Sequence, residues 1–268
     1  MRTLKLSIFF ILFLIFLGCE ESIDWELKPE NNERLVVEAI ITNENIRQEI
    51  ILSISQDNPN ESAKPAIGAS VLINSNSETY IFEENINNPG HYLSLEAIPL
   101  SSHKLYRLEI IWNDKNYEAK SYMLQVKPFV PLSLKPEKTD SFSIQSVASI
   151  YLPNEQAMYE IDIDWTHISG NDSSKAKVYY FTFNTIDVSE IFSPSTAPVI
   201  FPKGSIIIEK KYSLNYQMAE YFRAILMETQ WQSGVFDEAS APIPSNINND
   251  ALGLFGLSAV VSDTIIAQ

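Results

Sequence analysis

Residues 106–112 read YRLEIIW, and every second side chain in this stretch is apolar. The apolar positions are Tyr106, Leu108, Ile110 and Trp112. Arg107 and Glu109 lie between them and favour water. Because successive side chains of a β-strand point to opposite faces, this alternation predicts a strand with one buried and one solvated face.

The same alternation extends in both directions, from Arg34 to about Leu124. Further strand-like runs are RLVVEAIIT at 34–42, EIILSIS at 49–55, GASVLIN at 68–74 and TYIFE at 79–83. Polar turn sequences separate the runs, such as Asn88-Pro89-Gly90 and Asn113-Asp114-Lys115-Asn116. About seven short strands within roughly 90 residues predict an antiparallel sandwich of immunoglobulin or prealbumin type over residues 34–126.

Prolines separate this region from the second half of the chain. Residues 127–137 contain Pro128, Pro131 and Pro136, which predict a stiff linker because proline cannot donate a backbone hydrogen bond. Residues 138–268 then predict a second, mixed domain that is mostly β. Its strand-like runs are YEIDIDW at 159–165, KVYYFTFN at 177–184 and GSIIIEKKY at 204–212.

One segment of the second half has a helical period. Met218, Phe222 and Ile225 follow the spacing i, i+4, i+7, and the surrounding segment SLNYQMAEYFRAILMETQ contains no proline or glycine. This pattern predicts an amphipathic helix at about residues 215–230. We interpret its apolar stripe as core rather than as a surface for a partner. The chain is therefore expected to be mainly β with one helix.

The amino terminus has the features of a bacterial lipoprotein signal peptide. Arg2 and Lys5 form a basic start, and the apolar run 6–17 is shorter than the roughly 20 residues that span a bilayer. The run ends in Leu17-Gly18-Cys19, which resembles the lipobox of bacterial lipoproteins. That resemblance implies removal of residues 1–18 and attachment of diacylglycerol and a fatty acid such as palmitate to Cys19. The alternative is a secreted protein with a chance cysteine, but Cys19 has no second cysteine to pair with.

Residues 19–33 are mostly polar and predict an acidic tether between the lipid and the folded chain. Glu20 and Glu21 directly follow Cys19, and they resemble the export signal of surface lipoproteins in the Bacteroidota. The same two acids are also consistent with a plain solvated tether. The resemblance implies a protein that is held in the outer membrane by its lipid and displayed at the cell surface.

Composition and motifs argue against several classes of function. The 34 acidic residues outnumber the 19 lysines and arginines, and the formal charge of −15 argues against a nucleic-acid partner. The sequence has no HExxH, GxSxG or SxxK motif, no Cys/His cluster and no phosphate-binding glycine loop. We therefore predict no catalytic residue, no metal site and no cofactor, and we do not expect an enzyme.

Two sets of polar residues are candidates for metal ligands. Glu160, Asp162 and Asp164 are spaced two apart on one predicted strand face, where carboxylates could hold a hard cation. The same spacing is found on any solvated strand face, and we prefer that interpretation. The histidines at 91, 103 and 167 lack the paired spacing of zinc ligands.

Several segments resemble, in order, a family of Bacteroidota lipoproteins of unknown function. They are Val36-Val37-Glu38, Gly68-Ala69, Pro89-Gly90-His91-Tyr92, Tyr106-Leu108-Ile110, Ser245-Asn246-Ile247 and Ala251-Leu252-Gly253-Leu254-Phe255-Gly256. Asn249 and Asp250 replace the glycines usual in that family. Beside Phe255, we predict that Gly253 and Gly256 serve a close backbone approach or a positive φ, rather than a binding site.

The genes of that family commonly lie beside TonB-dependent outer-membrane receptors. The resemblance therefore implies a non-enzymatic accessory or ligand-binding partner of a TonB-dependent transporter. One alternative is a free-standing surface binding or adhesion module that uses sandwich loops. The other is a surface hydrolase with an unmarked nucleophile or paired carboxylates.

Overall fold

The alternating runs form strands in the computed structural model of the chain, which describes residues 33–56, 58, 60–76, 78–168, 170, 174–191, 193–231 and 242–268. The first eight strands are β1 (Leu35–Thr42), β2 (Arg47–Ile54), β3 (Lys64–Pro65), β4 (Ser70–Asn74), β5 (Thr79–Glu84), β6 (His91–Ala97), β7 (Leu105–Trp112) and β8 (Lys115–Tyr122). The later strands are β9 (Ser133–Lys138), β10 (Ser141–Ser146), β11 (Ala157–Asp164), β12 (Lys175–Thr182), β13 (Phe201–Pro202), β14 (Ile206–Ser213), β15 (Leu252–Ser258) and β16 (Val260–Ile266). The helices are α1 (Val188–Ile191) and α2 (Tyr216–Thr229). The prediction of a mainly β fold is confirmed, and α2 lies where the helix was expected.

The first sheet has the order β15-β1-β2-β6-β5-β4-β7-β8, and β3 pairs with β2. On β7, the side chains of Tyr106, Leu108 and Ile110 are fully buried, as the alternation predicts. They share one core with inward-facing residues of β1, β2 and β4, which are Val37, Ala39, Ile41, Ile50, Leu52, Val71 and Ile73. Burial of these apolar side chains is the main force that holds the sheet in this register.

The first sheet also contains a strand that the sequence assigned to the second domain. β15 pairs in parallel with β1, and Val37 lies opposite Gly253. The prediction that residues 138–268 form a separate domain is therefore wrong for 252–258. The physical reason is that β15 is apolar on both faces, with Phe255 in the core of the first sheet and Leu254 in the core beneath α2. Glu33–Gln268 form one compact unit.

The remaining strands form two smaller antiparallel sheets, with the orders β13-β10-β9 and β12-β11-β14-β16. A second core, built on Tyr159, Ile161, Ile163 and Ile207, lies between them. Part of the predicted linker 127–137 belongs to this region, because residues 133–137 fall within β9. Proline is tolerated there because β9 is an edge strand whose register shifts next to Pro136.

Candidate functional site

Helix α2 begins at a buried cap and lies across one face of the four-stranded sheet. The Asn215 side chain accepts a hydrogen bond from the Met218 backbone N–H at 3.1 Å, and its amide donates to the Tyr122 carbonyl at 2.9 Å. This cap satisfies one of the free N–H groups at the helix start and ties the helix to the end of β8. On the inner side of the helix, Met218 and Leu226 are buried. Of the predicted stripe of Met218, Phe222 and Ile225, the interpretation as core holds for Met218.

Phe222 and Ile225, on the same side of α2, are only partly buried and line an open groove of about 440 Å³. The groove lies between α2, the four-stranded sheet and the end of β1. Its lining residues are Ile40, Thr42, Met158, Glu160, Tyr179, Phe181, Tyr212, Phe222, Ile225, Leu226, Thr229 and Gln230. A concave apolar site of this size with a few polar groups is the usual form of a small-molecule site.

Strand register explains which side chains reach the groove. Met158 on β11 lies between Phe181 on β12 and Tyr212 on β14, so these three form an apolar row under the helix. In the next row, Glu160 lies between Tyr179 and Lys210. The groove therefore has an apolar floor and a polar rim, because consecutive rows of the same sheet face differ in chemistry.

The predicted row of three acids does lie on one face, and lysines from the neighbouring strand pair with it. The Lys177 ammonium lies 3.4 Å from Glu160 and 3.2 Å from Asp162, and Lys175 lies 3.3 Å from Asp164. Hydrogen bonds from Thr166, together with Lys175, lower the pKa of Asp164 to about 2. These contacts are those of a paired, solvated strand face.

Two tyrosine hydroxyls complete the rim of the groove. Burial and the Glu160 carboxylate raise the pKa of Tyr179. Burial raises the pKa of Tyr212 further, and Glu160 and Glu44 add to that shift. Both hydroxyls are therefore uncharged at neutral pH and can act as hydrogen-bond donors. A second cavity of about 310 Å³, near Lys127 and Glu155, has a more polar lining that includes Asn154, Gln156 and Asn184.

The histidines that the sequence singled out do not line this groove. Cys19, Glu20 and Glu21 lie outside the described residues. His91 Nδ1 lies 2.9 Å from Glu49 Oε1, and His167 Nε2 lies 3.0 Å from the Gly204 carbonyl oxygen. Within the described part of the chain, no group of three or more His, Cys, Asp or Glu side chains is placed to hold a metal ion.

The sequence did not reveal the groove. It is built from β1, β11, β12, β14 and α2, and no local motif marks residues that meet only in the folded chain. One signal was available in the sequence: five of the six residues from 176 to 181 are apolar, and three of them are aromatic. An excess of aromatic residues on a sheet edge is consistent with a contact surface.

The glycines near the end of the chain have the structural role that the sequence predicted. Gly253 has a φ of +97°, and a Cβ at this position would lie 2.0 Å from the Val37 carbonyl oxygen. Gly256 has no positive φ, but a Cβ there would lie 2.8 Å from the Met218 side chain. The first glycine permits the close β1–β15 pair, and the second permits α2 to pack on β15.

Near Arg223 of α2, α1 carries an acid in an unfavourable environment. Glu190 is partly buried, and its Oε2 atom has no hydrogen-bond partner among the described residues. Burial and the neighbouring Asp187 raise the pKa of Glu190 to about 7, although Arg223 opposes the shift. The Arg223 guanidinium instead lies over the Phe183 ring, 4.9 Å from its centroid.

This environment makes the stability of the fold depend on pH. The pKa of Glu190 in the folded chain lies above its ordinary value of 4.5, so the folded state binds the proton more tightly than the unfolded state. The contribution of Glu190 to the free energy of unfolding is therefore fully present below pH 4.5 and is lost as pH rises to about 7. We expect Glu190→Gln to remove this loss, which is on the order of 2 kcal/mol once solvent screening is allowed for.

Urea unfolding at pH 5 and pH 8 checks the prediction for Glu190. Between these pH values the free energy of unfolding of the wild-type chain should fall by the Glu190 contribution, and that of Glu190→Gln should not show this fall. Glu83→Gln, the same change at an exposed position of β5, serves as the control and should leave the fall unchanged. An identical fall in the wild-type and Glu190→Gln chains would show that Glu190 does not titrate in this range.

None of the helices in the described residues is long and apolar enough to span a membrane. A search of curated proteins found no match. Among solved structures, the chain is similar to the FN1–FN3 domains of chicken CNTN1, with 12% identity and a TM-score of 0.25 over 67% of this chain. The chain spans 60% of the length of that structure.

The family comparison covers nearly the whole sequence that follows the apolar amino terminus. A family model described as a domain of unknown function, DUF4249, matches residues 20–264. The match begins directly after Cys19 and ends within β16, so it includes β1 to β15 completely and most of β16. The chain therefore belongs to the family defined by this domain of unknown function, DUF4249.

Proposed function

We propose that this chain is a surface lipoprotein of the outer membrane that binds a small ligand as a non-enzymatic accessory of a TonB-dependent transporter. The groove beneath α2 is the observation that carries the ligand-binding part of the proposal. It combines an apolar floor that includes Met158 and Phe181, a helix side that includes Phe222, and polar groups at its rim, as ligand sites usually do.

The membrane and transporter parts of the proposal rest on the sequence. Leu17-Gly18-Cys19 resembles a lipobox, and Glu20 and Glu21 resemble a surface-export signal. The motifs between Val36 and Gly256 resemble lipoproteins encoded beside TonB-dependent receptors. In such a system, a lipid-held subunit can raise the ligand concentration near the receptor without catalysing a reaction.

Co-purification from the native host tests the transporter partnership. An epitope-tagged chain is extracted from membranes with mild detergent after brief crosslinking of intact cells, and the partners are identified by mass spectrometry. We expect a β-barrel receptor at near-equal amount. A tagged outer-membrane lipoprotein of unrelated family, expressed at the same level, is the control for chance crosslinks.

Two other results would contradict parts of this proposal. Recovery of the chain without any β-barrel would argue against the partnership. If cells that lack the neighbouring receptor retained full ligand binding at their surface, the free-standing binding or adhesion module would be the better description.

A further inference from the structure

The hydroxyl of Tyr212 is an unexplained polar group in the groove. Tyr212 is only 8% exposed, and its hydroxyl makes no hydrogen bond to any of the residues that the structure describes. The hydroxyl is not among the fully buried side-chain atoms that lack a partner, so water in the open groove can reach it and a bound molecule can replace that water. The ring of Tyr212 lines the groove, so a molecule held there can supply a partner.

The charges around this hydroxyl are mainly negative. Among the described lining residues, Glu160 alone carries a charge, and its side chain is 15% exposed. Glu44 and Asp162 also act on Tyr212 electrostatically. The Lys210 ammonium is held 2.9 Å from Glu44, and Lys177 is shared between Glu160 and Asp162. The three carboxylates thus outnumber the two ammonium groups, and both ammonium groups already form ion pairs with these carboxylates.

This arrangement disfavours an anionic ligand and fixes the role of Tyr212. A second negative charge next to Glu160 would be repelled more strongly in this partly buried site than in bulk water. Because burial and the nearby carboxylates raise the pKa of Tyr212, its hydroxyl keeps its proton at neutral pH. It can therefore donate a hydrogen bond to a neutral oxygen or nitrogen of the ligand.

We propose that the groove holds an amphipathic small molecule that places an apolar, ring-containing body beneath α2, offers an uncharged hydrogen-bond acceptor to Tyr212 and carries no negative charge. This assignment rests on the proposed ligand-binding function and specifies the ligand class. The rings of Phe181 and Phe222 pack on each other, with their centroids 5.5 Å apart, and the aromatic surface that they form together favours a ring-containing ligand.

Four probes that share one ring system separate the three requirements, which are an apolar ring, an acceptor for Tyr212 and the absence of negative charge. The probes are methylnaphthalene, naphthylmethanol, naphthylmethylamine and naphthoate, all substituted at the same ring carbon. Binding is measured by calorimetry with the fragment Glu33–Gln268, which contains all three cores and forms one compact unit. Cooperative thermal unfolding of the fragment is the condition for using it.

The expected order of affinity follows from the groove chemistry. Naphthylmethanol should bind, and naphthoate should bind about tenfold more weakly or not at all. Naphthylmethylamine is protonated at neutral pH and offers Tyr212 no acceptor, so its affinity should depend on Glu160 and not on Tyr212. Tyr212→Phe should weaken naphthylmethanol about fivefold and leave methylnaphthalene unchanged. Glu160→Gln should bring naphthoate to within about threefold of naphthylmethanol.

Ile225→Trp fills the groove from the helix and should abolish binding of every probe. Ile111→Trp makes the same change at an exposed position of β7 and should have no effect. This pair separates loss of the groove from a general effect of the larger side chain.

Each outcome decides a separate point. Naphthoate binding as tightly as naphthylmethanol would overturn the charge assignment, and equal affinities in wild type and Tyr212→Phe would overturn the role of the hydroxyl. If Ile225→Trp left the affinities unchanged, the probes would bind elsewhere and the groove would not be the site. None of these failures affects co-purification with a receptor, so failure of the proposed partnership remains distinguishable.

Discussion

Gly253→Ala is expected to destabilise the chain by at least about 4 kcal/mol, which is most of the free energy of unfolding of a protein at the lower end of the ordinary range. The new Cβ would lie 2.0 Å from the Val37 carbonyl oxygen and within 3 Å of two further backbone atoms of Val37. Because the obstacle is backbone inside a strand pair, it cannot move away without separating β15 from β1. The φ of +97° adds strain for any residue with a side chain.

The loss of the β1–β15 pair would reach beyond one strand. β15 contributes Phe255 and Leu257 to the core of the first sheet and Leu254 to the core beneath α2. Ala259 then leads directly into β16 of the four-stranded sheet. Displacement of β15 would therefore loosen two cores at once, and the groove beneath α2 would lose its support.

Two other glycines provide matched controls for this prediction. Gly68 has a φ of +72°, but nothing lies within 4 Å of the point that a Cβ would occupy, so Gly68→Ala should cost only about 1 kcal/mol of backbone strain. Gly256→Ala meets the flexible side chain of Met218, which can shift, and should cost about 1 to 2 kcal/mol. Urea unfolding measures the free energy of unfolding of the three variants. An equal loss of this free energy in Gly253→Ala and Gly68→Ala would contradict the prediction.

The contrast between Gly253 and the rest of β15 shows which features were predictable from the sequence. Alternation with period two located β7 and β11 because strand formation depends on neighbours in the chain. The need for glycine at 253 was also visible, since few other residues permit such a backbone. The partner of β15 was not visible, because parallel pairing with β1 joins segments from opposite ends of the chain.

The same limit explains why the candidate site was missed. Phe222 and Ile225 were recognised as one side of a helix, but their exposure depends on how far α2 covers the sheet. Tyr212 gave no signal, because a tyrosine at the end of a strand is ordinary until the fold places it at a groove. The acids at 160 and 164 could not be assigned before Lys177 and Lys175 were placed beside them.

Cys19→Ala is expected to leave the chain as an uncleaved precursor and to remove it from the outer-membrane fraction almost completely. The predicted anchor is the lipid on the Cys19 thiol and amino group, and each buried CH₂ of an acyl chain contributes about 0.8 kcal/mol to membrane binding. The protein surface cannot replace that anchor by charge attraction, because 34 acids outnumber 19 bases and anionic lipid headgroups repel an acidic chain. Membrane fractionation, together with the mass of the chain, measures both effects.

Changing the acids after Cys19 separates anchoring from surface display. A chain with Glu20→Gln and Glu21→Gln retains the lipobox, so it should be processed and remain in the outer-membrane fraction. If the two acids form the export signal, protease added to intact cells should no longer remove it, whereas the wild-type chain is removed. Normal processing and anchoring of the Cys19→Ala chain would refute the lipoprotein assignment. Removal of the double variant by protease would instead leave that assignment intact and reduce Glu20 and Glu21 to a solvated tether.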